Sequence, residues 1–223
     1  MRVRAAPPSY THTMLTDKSV RDLLAAFASS DPTPGGGSAS AVASAMGASL
    51  LMMVSALPKT RSGSDEDRAA LGAASSALIG VQQQLIEAID ADSVAYDAVV
   101  AAYKLPKATE IEQAARKSAV QRALRAATDV PLGVMRLSVL ALREARAVAQ
   151  HGYRAAASDV GVAIALVATG VRGARLNVDI NVGSLSDGSY VEAVKAESER
   201  LATEAAEIAD AAQASLRRER LDF

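Results

Sequence analysis

The sequence predicts an all-α protein, one bundle of long antiparallel helices joined by short loops. Half of the residues are hydrophobic, yet only 3% are aromatic and none is Trp, so Ala, Val and Leu supply the core. Ala has the highest helix propensity, and small side chains let helices approach closely. Apolar residues recur at three- and four-residue spacing along most of the chain, whereas only Leu176 to Val182 alternates in the manner of a strand. A lone strand cannot build a sheet, so that segment is expected as extended chain between helices or as one more turn of helix. The 223 residues show no compositional break. One domain over residues 16–223 is therefore expected, behind a disordered tail over residues 1–15.

Val20, Leu23, Leu24 and Phe27 mark a short first helix, with Thr16 or Ser19 available to cap it. Ala39 to Leu57 is apolar almost all round and reads as a central buried helix ended by Pro58. Lys59 to Asp67 is a charged loop, after which a helical pattern runs from Glu66 through Leu78, Leu85 and Ile89 to Tyr103. Leu105-Pro106 breaks it. Glu110 to Asp129 forms the next helix, and Pro131 kinks or restarts the chain before Val134 to Gln150. Gly152 stops that segment, Ser158 to Gly170 is again helical, and Val191 to Arg218 is a charged amphipathic closing helix.

The 24 basic and 25 acidic residues leave a net charge of −1, which supplies no electrostatic footprint for nucleic acid or an anionic membrane. No cysteine is present, so thiolate nucleophiles, disulfides and zinc-thiolate sites are excluded. The two histidines, His12 in the tail and His151 at a helix end, have no metal-binding companion at useful spacing, and no metal site is expected. The N-terminal stretch lacks the apolar core of a targeting signal, and Ser, Gly or charged residues interrupt every apolar run, so no membrane span is expected and a cytoplasmic location is the default.

The least ordinary stretch is Asp31 to Ser40, DPTPGGGSAS, set directly against an apolar helix. Gly35, Gly36 and Gly37 permit φ > 0 and close approach of a ligand or another backbone, and Ser38 is placed to cap the helix whose first N–H groups would face an anion or a polar ring. No Gly-Lys-Ser/Thr follows, so this is not a Walker A loop. A loop whose glycines only permit close packing is the plainer alternative.

Polar residues inside the Ala-rich helices form the next group. Asp92, Tyr96 and Tyr103 lie along one helical stripe, and Asp90 and Asp97 define another. A carboxylate held among apolar side chains has its pKa raised, which suits a general acid or base near neutrality. Solvated helix-face aspartates are the alternative. Asp159, after Ser158, is placed to cap the following helix. Asn177 and Asn181 set two amides four residues apart, to contact a polar heterocycle or to satisfy backbone.

Four blocks of this chain together resemble the cyclodeaminase/cyclohydrolase family of folate one-carbon enzymes: PTPGGGSASA at Pro32 to Ala41, DADSVAYDAVVAAYKLPK at Asp90 to Lys107, VPLGV at Val130 to Val134, and SDVGVAIAL with GVRGARLNVDIN between Ser158 and Asn181. One departure is that Gly152 is followed by Tyr153 and Arg154, where the family usually reads Gly-Asn. The resemblance implies an all-helical subunit that forms a homodimer, with a tetrahydrofolate derivative bound near the Gly-rich loop and the Asp-containing helix. It implies chemistry at the carbon bridging N5 and N10, with proton transfer to or from nitrogen and no cofactor beyond the folate substrate. On this resemblance Asp92 is the acid/base residue and Asp159 positions substrate or shares the role. Tyr96 would pack beside the pterin or bond through its hydroxyl, Lys104 or Lys107 would meet the carboxylate tail or stand solvated at the helix end, and Gly35, Gly36, Gly37 and Ser38 would bring backbone N–H groups to the ligand. The preferred activity is hydrolysis of 5,10-methenyl-tetrahydrofolate to formyl-tetrahydrofolate. The alternatives are closure of 5-formimidoyl-tetrahydrofolate with loss of ammonia, and an inactive helical scaffold or regulatory subunit.

Overall fold

The computed structural model describes residues 14–57 and 63–221, with side chains to residue 216. A 3-10 turn at Leu15–Asp17 precedes α1 (Val20–Phe27), α2 (Gly36–Ala56), α3 (Asp65–Tyr103) and α4 (Glu110–His151). A second 3-10 turn at Arg154–Ala156 leads into α5 (Ala157–Val182), and α6 (Gly188–Leu221) closes the chain. The all-α reading holds: no strand occurs among the described residues.

Local chemistry sets the helix starts. Ser19 accepts from the Asp22 N–H at the head of α1, while Ser64 with Asp67 and Thr109 with Glu112 form reciprocal capping boxes on α3 and α4. The tail expectation for residues 1–13, with His12, lies outside the described residues. Leu15 is already folded: it is buried, and its N–H donates to Asp90 Oδ1 at 2.5 Å while the Thr16 hydroxyl donates to Oδ2 at 2.8 Å. The folded domain therefore includes Leu15, one residue before the expected boundary.

Helices α2 to α5 form an up-down core in which α2 and α5 run antiparallel in close contact. A Cβ on Gly47 would stand 2.7 Å from the Ala163 carbonyl, and side chains at Gly170 and Gly173 would overlap Ser44 and Ser40 of α2. Leu51, Leu78, Met135, Leu142 and Ile164 fill the centre with no solvent exposure. Helix α6 lies parallel to α4 in heptad register: Tyr190 meets Asp129, Arg136 pairs with Glu197, and Arg143 pairs with Glu204.

Two expectations are corrected here, and one pair of alternatives is decided. Of the kink or restart expected at Pro131, the restart does not occur, because α4 continues through it. Proline has no N–H to bond the carbonyl four residues back, so the Ala127 carbonyl loses its helical donor. The Asn181 Nδ2 of α5 donates to that carbonyl at 2.8 Å and replaces the missing bond. The alternating LNVDINV segment is helix, the second of the two forms expected. Its alternation is two i, i+4 pairs on opposite faces, Val178 and Val182 buried and Leu176 and Ile180 exposed. Finally, Gly36–Ala56 and Arg154–Val182 are each long and apolar enough to cross a membrane by length and composition, because Ser and Gly interruptions cost little hydropathy. Half of the first span is buried among the other helices.

Candidate active site

The Gly-rich segment and α3 meet at the first turn of α2. Gly35 is the N-cap, so the cap expected at Ser38 is displaced by three residues, and Gly35 itself makes no side-chain cap. A carboxylate from another helix supplies it: Asp92 Oδ2 accepts the Ser38 N–H at 2.8 Å. The Ser38 hydroxyl lies 2.8 Å from the Ile89 carbonyl and 3.1 Å from Asp92 Oδ2, with the Ser93 hydroxyl at 3.4 Å. Ser38 has no solvent exposure.

Glycine is required here for space, not for φ: no described glycine has positive φ. A Cβ on Gly37 would overlap the Asp92 carboxyl group, and one on Gly36 would stand 3.4 Å from Asn177 Nδ2. Gly37 is thus the position where space demands glycine, whereas at Gly36 a Cβ would make ordinary contact with α5. Asp92 is partly buried, and desolvation pushes its carboxyl above the ordinary value while the two Ser38 hydrogen bonds pull the other way. Its Oδ1 accepts no hydrogen bond from any described group. One oxygen is anchored and the other is free, an arrangement suited to moving a proton to or from a bound molecule.

The other residues singled out from the sequence separate into groups. Tyr96 stands one turn along α3 from Asp92 and is 42% exposed, on the shared stripe that the spacing indicated. Asn177 flanks Gly36, its Nδ2 donating to the Gly173 carbonyl of its own helix at 2.9 Å. Asn181 is spent on Ala127. Lys104 is the C-cap of α3, about 18 Å along the helix from Asp92 at 1.5 Å per residue, and Lys107 lies in the turn beyond it. Both are exposed. At that tip Arg116 covers the Tyr103 ring, 5.5 Å from its centroid.

Asp159 is not brought to this site within one chain. It sits in the first turn of α5, about 27 Å along that helix from Asn177, and the cap expected there is absent: Ala156 occupies the N-cap. Asp90, the buried carboxylate of the motif, is turned to Leu15 and Thr16. His151 holds Asp67, with Nδ1 to Oδ1 2.8 Å, and links the last turn of α4 to the first of α3. Among the described residues no three His, Asp or Glu side chains converge to hold a metal ion. The Ile89 carbonyl and the freed Ala127 carbonyl escaped the sequence reading because backbone acceptors carry no residue signature.

The formiminotransferase-cyclodeaminase family model matches residues 19–200. The chain is 40% identical over 192 residues to a methenyltetrahydrofolate cyclohydrolase of Methylorubrum extorquens, covering 86% of this chain and 92% of that protein. It is 33% identical over 186 residues to the formimidoyltransferase-cyclodeaminase of Rattus norvegicus, where the match covers 83% of this chain and 34% of the longer protein. In fold it is similar to the crystal structure of a formiminotetrahydrofolate cyclodeaminase from Thermotoga maritima, with a TM-score of 0.81 at 24% identity over 90% of this chain and 96% of that one. Matched by the family model over residues 19–200 and 40% identical over 192 residues to a relative covered over 92% of its length, this chain belongs to the formiminotransferase-cyclodeaminase family.

Proposed function

We propose that this chain hydrolyses 5,10-methenyl-tetrahydrofolate to formyl-tetrahydrofolate, with Asp92 as the proton-transfer residue. The observation that carries the reading is the Asp92 carboxyl group, partly desolvated, anchored through Oδ2 on the first turn of α2 and free at Oδ1. The match to nearly the whole length of a protein named as a methenyltetrahydrofolate cyclohydrolase favours this reaction over deamination. Water adds to the cationic carbon between N5 and N10 as Asp92 takes one of its protons. The resulting tetrahedral carbon then expels one nitrogen, which receives that proton from Asp92. The remaining hydroxyl proton leaves to solvent as the formyl C=O forms. Net, one water is consumed and one proton released, and these steps call on no cofactor beyond the folate.

Gly35, Gly36 and Gly37 would let the reacting ring approach the first turn of α2, with Asn177 and Tyr96 beside it. An extended ligand lying along α3 would bring its carboxylates to Lys104 and Lys107. Asn181 and Ser38 are assigned to holding the site, since their polar groups are engaged within the protein. Asp159 can serve beside Asp92 only from a second copy. A homodimer is supported by the stripe Ala39, Ala43, Met46, Leu50 and Met53 of α2, apolar at heptad spacing and exposed at Met46 and Met53. This face opens into an apolar groove of about 830 Å³ against Val20 and Leu24 of α1. Met46→Glu with Met53→Glu should convert a dimer to monomer in sedimentation; wild-type protein that sediments only as monomer would remove the proposal. A cytoplasmic location belongs to the same reading.

The activity is tested by following the methenyl absorbance with purified protein, beside 5-formimidoyl-tetrahydrofolate as second substrate. Enzyme-dependent loss from the first, absent in Asp92→Asn, is the expected result. Gain of the methenyl band with ammonia release from the second assigns the cyclodeaminase reaction instead, which the bifunctional relatives favour. No rate above background with either substrate would leave a scaffold role.

A further inference from the structure

Ser38 has one hydroxyl proton and three oxygens in range of it, of which the Ser93 hydroxyl, at 3.4 Å, is the farthest. The Ile89 carbonyl lies at 2.8 Å and Asp92 Oδ2 at 3.1 Å, and the side chain is sealed from solvent. Solvent does not reach the hydroxyl itself, so its proton is directed to protein acceptors. The Ser38 N–H is fixed by the helix and donates to Oδ2 at 2.8 Å whichever way the hydroxyl points. An ionised carboxylate attracts a donor more strongly than a neutral carbonyl does, while a neutral carboxyl group does not. The preferred direction of the Ser38 hydroxyl must then depend on whether Asp92 carries a proton.

We propose that Ser38 is a positioning residue for Asp92 whose hydroxyl turns from the Ile89 carbonyl to Oδ2 as Asp92 ionises and back as Oδ1 is protonated. This inference rests on the reading of Asp92 as the proton-transfer residue. The hydroxyl keeps its own proton throughout; only the direction of its hydrogen bond changes. In a buried site this rotation does what solvent reorganisation does in water. It stabilises the anion when Asp92 has given its proton up, and withdraws that stabilisation when Asp92 must hold the proton. The N–H bond alone cannot do this, because it is present in both states. It holds Oδ2 in place, so that Oδ1 remains the oxygen presented to substrate.

The test compares wild type, Ser38→Ala, Ser38→Thr and Asp92→Asn, each checked for helicity and melting. In Ser38→Ala the carboxylate loses one charge-assisted donor, and the acid limb of kcat/KM is expected to move up by about one pH unit, with kcat falling and KM held within about twofold. Ser38→Thr keeps the hydroxyl and should return the limb toward the wild-type position. A second readout needs no turnover: the carboxyl carbon of Asp92, followed by NMR in protein carrying labelled aspartate, should titrate about one unit higher in Ser38→Ala. An unchanged Asp92 titration in folded Ser38→Ala overturns the proposal. Asp92→Asn that keeps wild-type turnover removes the catalytic reading of Asp92, whereas the NMR titration still decides whether Ser38 governs that carboxylate.

Discussion

Replacing Asn181 by Ala should destabilise the fold only while Pro131 is present. Pro131 sits inside α4 and donates no backbone hydrogen bond, so the Ala127 carbonyl depends on Asn181 Nδ2 at 2.8 Å. Leaving a sheltered carbonyl without a donor costs about 1–3 kcal/mol. Asn181 is half-buried rather than sealed, which places Asn181→Ala at about 1–2 kcal/mol. For a chain of this size that is a fall in Tm of roughly 3–6 °C. Pro131→Ala supplies the absent N–H and lets α4 bond Ala127 itself. In that background Asn181→Ala should cost less than about 0.5 kcal/mol, giving a coupling energy of about 1 kcal/mol in the double-mutant cycle. Reversible urea unfolding of the four proteins measures it. If the two substitutions are additive, Asn181 does not replace the helical donor. If Asn181→Ala instead raises KM in both backgrounds without loss of stability, the amide serves the ligand.

Gly37→Ala and Gly80→Ala are chemically the same change in two helices with opposite expected signs. Gly80 faces open space on α3, where Ala should add up to about 1 kcal/mol, whereas at Gly37 the new methyl displaces Asp92, costing about 1–2 kcal/mol and at least tenfold in turnover; equal Tm shifts for the two would defeat the packing explanation. Asp67 is held below the ordinary carboxylate value by its hydrogen bonds to His151 and then Ser64. Its stabilising contribution is therefore complete above about pH 4 and is lost as pH falls through the depressed value, so the Tm gap between wild type and Asp67→Asn should close in acid. A gap that widens below pH 4 would contradict this. Arg136 pairs with Glu197 through two bonds of 2.7 Å, but the pair is half exposed, and removing both side chains should cost no more than about 1 kcal/mol in urea unfolding. Leu142→Ala, at a position with no exposure, should cost about 2–5 kcal/mol in the same assay.

The helices were legible because their signals are local. Ser19 caps α1 as its position before an apolar periodic run indicates, and α2 ends at Ala56, ahead of Pro58, while the Lys59 to Asp67 reading lies partly outside the described residues. The i, i+4 spacing of Asp92 and Tyr96 placed them on one stripe of α3 correctly, and Asp92 lies against the Gly-rich segment. What failed was anything decided by a partner helix. Proline inside α4 is tolerated because α5 supplies a donor 50 residues later in sequence. Ser38 looked like an N-cap because Asp92, the group that displaces it from that task, arrives 54 residues on. Asp159, expected to position substrate or share the role of Asp92, does not stand beside it within one chain, because the length of α5 keeps the two apart.

The position of Asp92 is set by helix packing as much as by its own contacts. Gly47, Gly170 and Gly173 lower α2 onto α5, where Ser40 and Ser44 occupy the space that side chains would take. That contact determines how far the first turn of α2 reaches beside α3, and Gly37 determines how closely the Asp92 carboxyl group can enter it. A side chain at Gly170, such as Val, would collide with Ser44 and with the Ser40 carbonyl at 2.8 Å, forcing α2 away from α5 without touching Asp92. Such overpacking typically costs about 1–3 kcal/mol in stability. Because a misplacement of about 1 Å at a reacting group costs on the order of a hundredfold in rate, Gly170→Val should lose turnover while Asp92, Ser38 and Asn177 are all intact. A folded Gly170→Val enzyme with wild-type kcat would show that the α2–α5 spacing and the placement of the carboxylate are independent. A loss in kcat larger than the loss in stability would show that the small-residue contact between these two helices is part of the catalytic geometry.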